Sequence, residues 1–224
     1  MIKKSSIATL VTIQGLGYLV PIITIPFLIK KMGIESFGKL AYFTALFQYF
    51  ILIIEYGFST SATMSVSRMT RNNKWSGTIF WNITLLKTTL AVILFSITIL
   101  VISITESLQS DWKLILASFT STLIGILVPT WLFIGKDKAT YINTTTLIGK
   151  ISTIPLLFLL ISGPDDIWLA ALIQNITICI AGIYSIVYGY RSGWIPIEKV
   201  KLSTMLLLAK NGWHIFVTSL SINF

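Results

Sequence analysis

The sequence predicts an all-α fold, a polytopic transmembrane helix bundle, and three observations carry that expectation. Apolar residues make up 54% of the 224-residue chain and charged residues only 11%. Mean hydropathy is +0.84, far above the range of soluble globular chains. The apolar residues also gather into six runs, each close to the ~20 residues with which a helix crosses roughly 30 Å of hydrocarbon.

The runs follow one another closely. The first, 7–29, has Lys3 and Lys4 ahead of it, as a signal peptide would, but it is too long and no small-residue cleavage site follows, so it reads as a retained helix. The second, 38–59, carries Glu55 within EYGFSTS. The third, 79–104, opens with FWNITLLKTTLAVILF and holds Lys87. The fourth, 112–134, ends in WLFIG, and the fifth, 141–161, contains Asn143 and Lys150. The sixth, 167–188, follows Asp165-Asp166, a residue type favoured at a helix N-cap.

The segment 191–212 (RSGWIPIEKVKLSTMLLLAKNG) is basic and amphipathic in its later part and is expected to lie along the membrane face as a linker. A seventh span opens near Trp213 and is cut off at Phe224. The expected organisation is thus a six-helix lobe over 1–190, a linker over 191–212, and the start of a second, truncated lobe over 213–224.

Lysine and arginine set the expected orientation. With the N-terminus in the cytoplasm, the inside segments hold eleven basic residues, among them Arg68, Arg71, Lys136, Lys138 and Arg191. The outside segments hold four, Lys30, Lys31, Lys39 and Lys113. The net charge of +9 is therefore accounted for by topology, and no nucleic-acid partner is expected.

Two lysines remain inside spans. Lys87 and Lys150 each lie roughly 12 to 14 Å along their helices from the cytoplasmic end, at nearly one level. Thr84, Lys87, Thr88 and Ala91 share one helix face, and Asn143, Thr146, Lys150 and Thr153 share another. A charge in hydrocarbon costs on the order of 3 kcal/mol and usually faces a cavity or a partner. Two such stripes would make a cationic, hydrogen-bonding cavity suited to an anion such as a pyrophosphate, with Lys87, Lys150, Thr84 and Asn143 as candidate substrate-binding residues. Glu55, the third intramembrane charge, is the candidate ion-coupling carboxylate. The plainer explanations are snorkelling of each lysine to the near interface, and pairing of Glu55 with Lys87 or Arg68. Gln14 and Gln174-Asn175 either line the same cavity or bond helix to helix. Pro21, Pro26, Pro129 and Pro155 are expected to bend their helices, and Gly15, Gly17, Gly125 and Gly182 to let helices approach.

Signatures of catalysis are missing. With His214 as the sole histidine and Cys179 as the sole cysteine, neither a histidine triad nor a thiolate metal site can be assembled. No GxxxxGK[ST] loop occurs. No cofactor, no metal and no enzymatic activity are expected.

Two stretches resemble a known family. IPFLIKKMGIESFGKLAYFTALFQYFILIIEYGFSTSATMSVSR resembles the opening helices of O-antigen flippases, polysaccharide translocases of the MATE-like exporter superfamily. PTWLFIGKDKATYINTTTLIGKIS is similar to their W-x-F-x-G turn and the polar helix after it. The resemblance implies two pseudo-symmetric lobes around a central cavity, of which this chain supplies the N-terminal one, in a protein about twice as long. It further implies movement of undecaprenyl-diphosphate-linked oligosaccharide across the bacterial inner membrane by alternating access driven by an ion gradient. Lys87 and Lys150 would be the cavity cations, and the partners would be that oligosaccharide, membrane lipids and other polysaccharide assembly proteins. Three alternatives share parts of the pattern: another exporter of the superfamily for drugs or lipid-linked precursors, a polytopic polysaccharide-assembling enzyme, and an inactive truncated fragment. Against the drug exporter, lysines outnumber the one intramembrane glutamate.

Overall fold

The computed structural model describes residues 4–55, 58–72 and 77–198. Every regular element among them is helical. α1 covers Lys4–Glu55 and is two helices joined at Gly33, whose φ of 82° and ψ of 162° lie in a region essentially reserved for glycine. The arms fold back on each other. Val20 and Leu28 of the first arm face the same cavity as Leu40 and Ala45 of the second, and Leu28, Met32, Leu40, Phe43 and Phe47 share one buried cluster. The first two expected spans are therefore a helical hairpin, with Lys30, Lys31 and Glu35 exposed near its tip.

α2 (Phe58–Arg71) was not expected as a separate element. Its 14 residues amount to roughly 21 Å of helix, too short to cross the hydrocarbon. It buries Ala62 and Val66 while Arg68 and Arg71 stay exposed, and it packs on the WLFIG segment: the Thr63 hydroxyl donates to the Trp131 carbonyl at 3.4 Å. α3 (Thr78–Ile104) matches the third span, and the single turn α4 (Glu106–Gln109) leads into the fourth.

The fourth span is broken. α5 (Trp112–Gly125) and α6 (Thr130–Gly135) are separated at 126–129, because Pro129 has no N–H to donate and disfavours helical geometry at Val128. Turn hydrogen bonds from Ile126, Leu127 and Val128 to Leu123, Ile124 and Gly125 keep the backbone satisfied across the break, as hydrocarbon demands. α7 (Ala139–Leu160) and α8 (Ile167–Arg191) are continuous, and Pro155 lies within α7.

Close approach and amide bonding hold the bundle. At Gly149 of α7 an added Cβ would stand 2.8 Å from Thr177 Cα of α8, so only glycine admits this contact. Asn175 of α8 donates to the Ala117 carbonyl at 3.0 Å and to the Thr120 hydroxyl at 2.8 Å, which joins α8 to α5. Asp166 precedes α8 at its N-cap position, but its carboxylate turns back to accept from the Ser162 and Gly163 amides at 2.8 and 3.2 Å. The expected cap thus ties down the preceding loop instead of the helix's own first turn.

Beyond α8 the chain reverses at Gly193, φ 65°, and 194–198 form a non-helical strap across the start of α3. Ile195 is buried, Trp81 Nε1 donates to the Pro196 carbonyl at 2.9 Å, and the Glu198 carboxylate accepts from the Gly77 and Thr78 amides at 3.0 and 2.9 Å. An anion there also complements the positive end of the α3 dipole. The rest of the expected linker, 199–212, and the expected seventh span, 213–224, lie outside the described residues.

If Gly33 is needed for the reversal, Gly33→Val should lower stability by about 1–3 kcal/mol while Gly38→Ala, within helix and with open space around it, should not. Thermal unfolding in detergent checks the difference.

Candidate binding site

The two intramembrane lysines have opposite surroundings. Lys87 is 1% exposed, and its Nζ lies 2.6 Å from Glu55 Oε1. The pair joins the end of α1 to the middle of α3. Glu55 Oε2 is buried and has no hydrogen-bond partner among the described residues.

Lys150 makes no ion pair with any described carboxylate. It lies half-buried on α7, directly after Gly149, and reaches across to α1: a Cβ placed on Gly17 would stand 3.5 Å from its Nζ. The α7–α8 contact at Gly149 fixes the backbone on one side, and the next residue, about 100° further round the helix, points its ammonium to the other.

That ammonium borders a polar pocket of about 250 Å³ between α1 and α7, lined also by Gln14, Gly17, Tyr18, Asn143 and Thr146. Amide, phenol and ammonium groups converge there, a donor-rich set suited to phosphate oxygens. Lys150 also borders a second cavity of about 490 Å³ between α1, α7 and α8.

The expected site residues thus fall into three places. Lys150 and Asn143 come together, with Gln14 and Thr146 beside them. Lys87 pairs with Glu55. Thr84 lines a different, largely apolar groove with Trp81, Ile186 and Tyr190. Lys87 borders neither of the two cavities that Lys150 borders; in its stripe Lys87 and Ala91 are buried, and the Thr88 hydroxyl donates to the Thr84 carbonyl of its own helix at 2.8 Å. Sequence reasoning missed Tyr18, whose phenol gives no charge or periodic polar signal in an apolar run, and could not select Gly17 for the lysine among the glycines of its span.

Outside the spans, Lys136 is half-buried with its Nζ 5.8 Å from the Trp194 ring centroid, and burial draws its pKa below the ordinary lysine value. Among the described residues no group of His, Cys, Asp or Glu could hold a metal ion. His214 lies outside them.

Removing one member of the buried pair leaves an uncompensated charge, so Glu55→Gln should cost on the order of 3 kcal/mol. The double variant Glu55→Gln/Lys87→Met should recover most of that loss, and a double-mutant cycle on thermal unfolding in detergent checks it.

Comparison with known proteins places the chain. A family model described as "Polysaccharide biosynthesis protein" matches residues 4–224. A relative from Escherichia coli (strain K12) described as a "Putative O-antigen transporter" is 30% identical over 98% of this chain and 53% of its own length. A second relative of the same description, from Shigella dysenteriae, is 27% identical over 96% of this chain and 54% of its own. The chain spans about half the length of these curated relatives. No solved structure matches. A multi-pass apolar bundle in which five helical segments among the described residues, the α1 hairpin counted as one, are long and apolar enough to cross a membrane, matched nearly end to end by that model, belongs to the polysaccharide biosynthesis protein family.

Proposed function

We propose that the protein works in the transport of undecaprenyl-diphosphate-linked O-antigen oligosaccharide across the bacterial inner membrane, as the N-terminal lobe of a two-lobed, ion-coupled flippase. The observation that carries this reading is the Lys150 ammonium, without a described counter-charge, in a polar pocket with Asn143 and Gln14. A cation left unpaired at membrane depth is costly unless an anionic ligand or water shares it, and a lipid diphosphate is such a ligand. The printed description of the relatives supports the cargo class.

Lys87 has a different part in this proposal. Its charge is spent on Glu55, so the pair acts as the coupling element and Lys150 as the substrate cation. Glu55 Oε2, buried and unbonded among the described residues, is an acceptor open to a proton or a small cation. The N-terminus and the ends bearing Arg68, Arg71, Lys136 and Arg191 face the cytoplasm in this reading. No catalytic step is assigned to the chain; the protein supplies binding and a path.

In a strain lacking its own copy, Lys150→Ala should abolish surface polysaccharide at normal protein level, and Lys150→Arg should keep part of it. Lys87→Ala should instead reduce the amount of folded protein. Full polymer from a normally accumulating Lys150→Ala variant would sink the assignment.

A further inference from the structure

Lys150 stands at the boundary between two cavities of opposite character along one groove. Toward the α7 N-terminus lies the polar pocket with Asn143, about two turns away along the helix. Toward the α7 C-terminus lies the larger cavity, about 490 Å³, walled by residues such as Leu28, Phe37, Leu40, Ala41, Ala45 and Leu157. Its volume falls in the range of roughly 300–1,000 Å³ typical of small-molecule sites.

Two of the threonines that line the larger cavity have their hydroxyls hydrogen-bonded within their own helices. The Thr24 hydroxyl donates to the Val20 carbonyl at 3.0 Å and the Thr153 hydroxyl to the Lys150 carbonyl at 2.7 Å, so each is satisfied within its own helix. Gln174 of α8 also lines the cavity. A groove that is polar on one side of a cation with no ion-pair partner among the described residues, and mostly apolar on the other, matches an amphiphile with its anionic group at the join.

We infer that the aliphatic cavity beyond Lys150 receives the first isoprenoid units of the lipid carrier, so that the chain next to the diphosphate is bound inside the lobe while the sugar side occupies the polar pocket. The inference rests on Lys150 as the diphosphate-holding cation and adds a lipid-recognition subsite to it. Occupancy follows from complementarity: the diphosphate needs the ammonium, and the branched hydrocarbon attached to it removes apolar wall from water. The lobe then selects for the carrier lipid as well as for its charge.

Equilibrium binding of labelled inorganic pyrophosphate and farnesyl diphosphate to the protein in nanodiscs tests this. Each ligand is compared between wild type and variants in the same membrane, so that partition of the farnesyl chain into lipid cancels. Ala45→Phe fills the cavity from a side chain already exposed to it; it should weaken farnesyl diphosphate at least about tenfold, a loss of ~1.4 kcal/mol, and leave pyrophosphate unchanged. Ala41→Leu, a smaller addition on the same wall, should produce a lesser loss of the same kind and serves if the first variant does not accumulate. An equal effect on both ligands, or none on farnesyl diphosphate, overturns the subsite. Lys150→Gln separates the two levels: it should weaken both ligands, and pyrophosphate binding that survives it overturns the diphosphate assignment on which the subsite rests.

Discussion

Hydrocarbon cannot solvate a charge, and the arrangement of this bundle follows from how each of its two deep lysines meets that constraint. Lys87 is neutralised within the protein at 2.6 Å from Glu55. With its own counter-charge it can be fully buried, and it ties α3 to the end of the α1 hairpin. Lys150 has no such partner among the described residues, so its head stays at a pocket edge where polar groups and solvent can reach it. The same residue type at nearly the same helical depth yields a structural joint in one place and the edge of a polar pocket in the other.

Positioning of the second lysine depends on packing that has nothing to do with charge. Gly149 lets α7 touch the backbone of α8 at Thr177, and Asn175 anchors α8 to α5 by two hydrogen bonds. With those three helices fixed, α7 can present Lys150 to α1 only on the opposite side, where Gly17 leaves room for the ammonium. The W-x-F-x-G stretch serves a similar end. Trp131 and Phe133 are buried and Gly135 fits beneath Val66 of α2, so this recurrent-looking motif is a packing unit for the short helix.

Much of this was legible in the sequence. Span positions followed from run length, the helical hairpin from two runs separated by KKMGIESF, and the Glu55–Lys87 pairing stood among the alternatives for Glu55. The Asn143–Lys150 face was legible because amide and charge recur at helical spacing. Three features were hidden. α2 was read as part of the connection between the second and third spans, since a short amphipathic helix carries no hydropathy signal. The break at 126–129 was concealed by uninterrupted apolar residues, with Pro129 as the only sign of it. The Thr84 stripe suggested a polar wall, but threonine in a membrane helix can turn its hydroxyl to a carbonyl of its own preceding turn, so periodic threonine does not identify a wet face as lysine or asparagine does.

The strap over α3 has a mechanical consequence. Glu198 grips both the Gly77 and Thr78 amides, and Trp81 holds Pro196, so the chain leaves α8 without slack and reaches residue 198 already fastened to another helix. Tension applied to the chain beyond that point would be delivered to the first turn of α3 instead of being absorbed by a loose connection. α3 is then a lever with its load point at Thr78 and its fulcrum near Lys87, about two and a half turns along, where the ion pair pins it to α1.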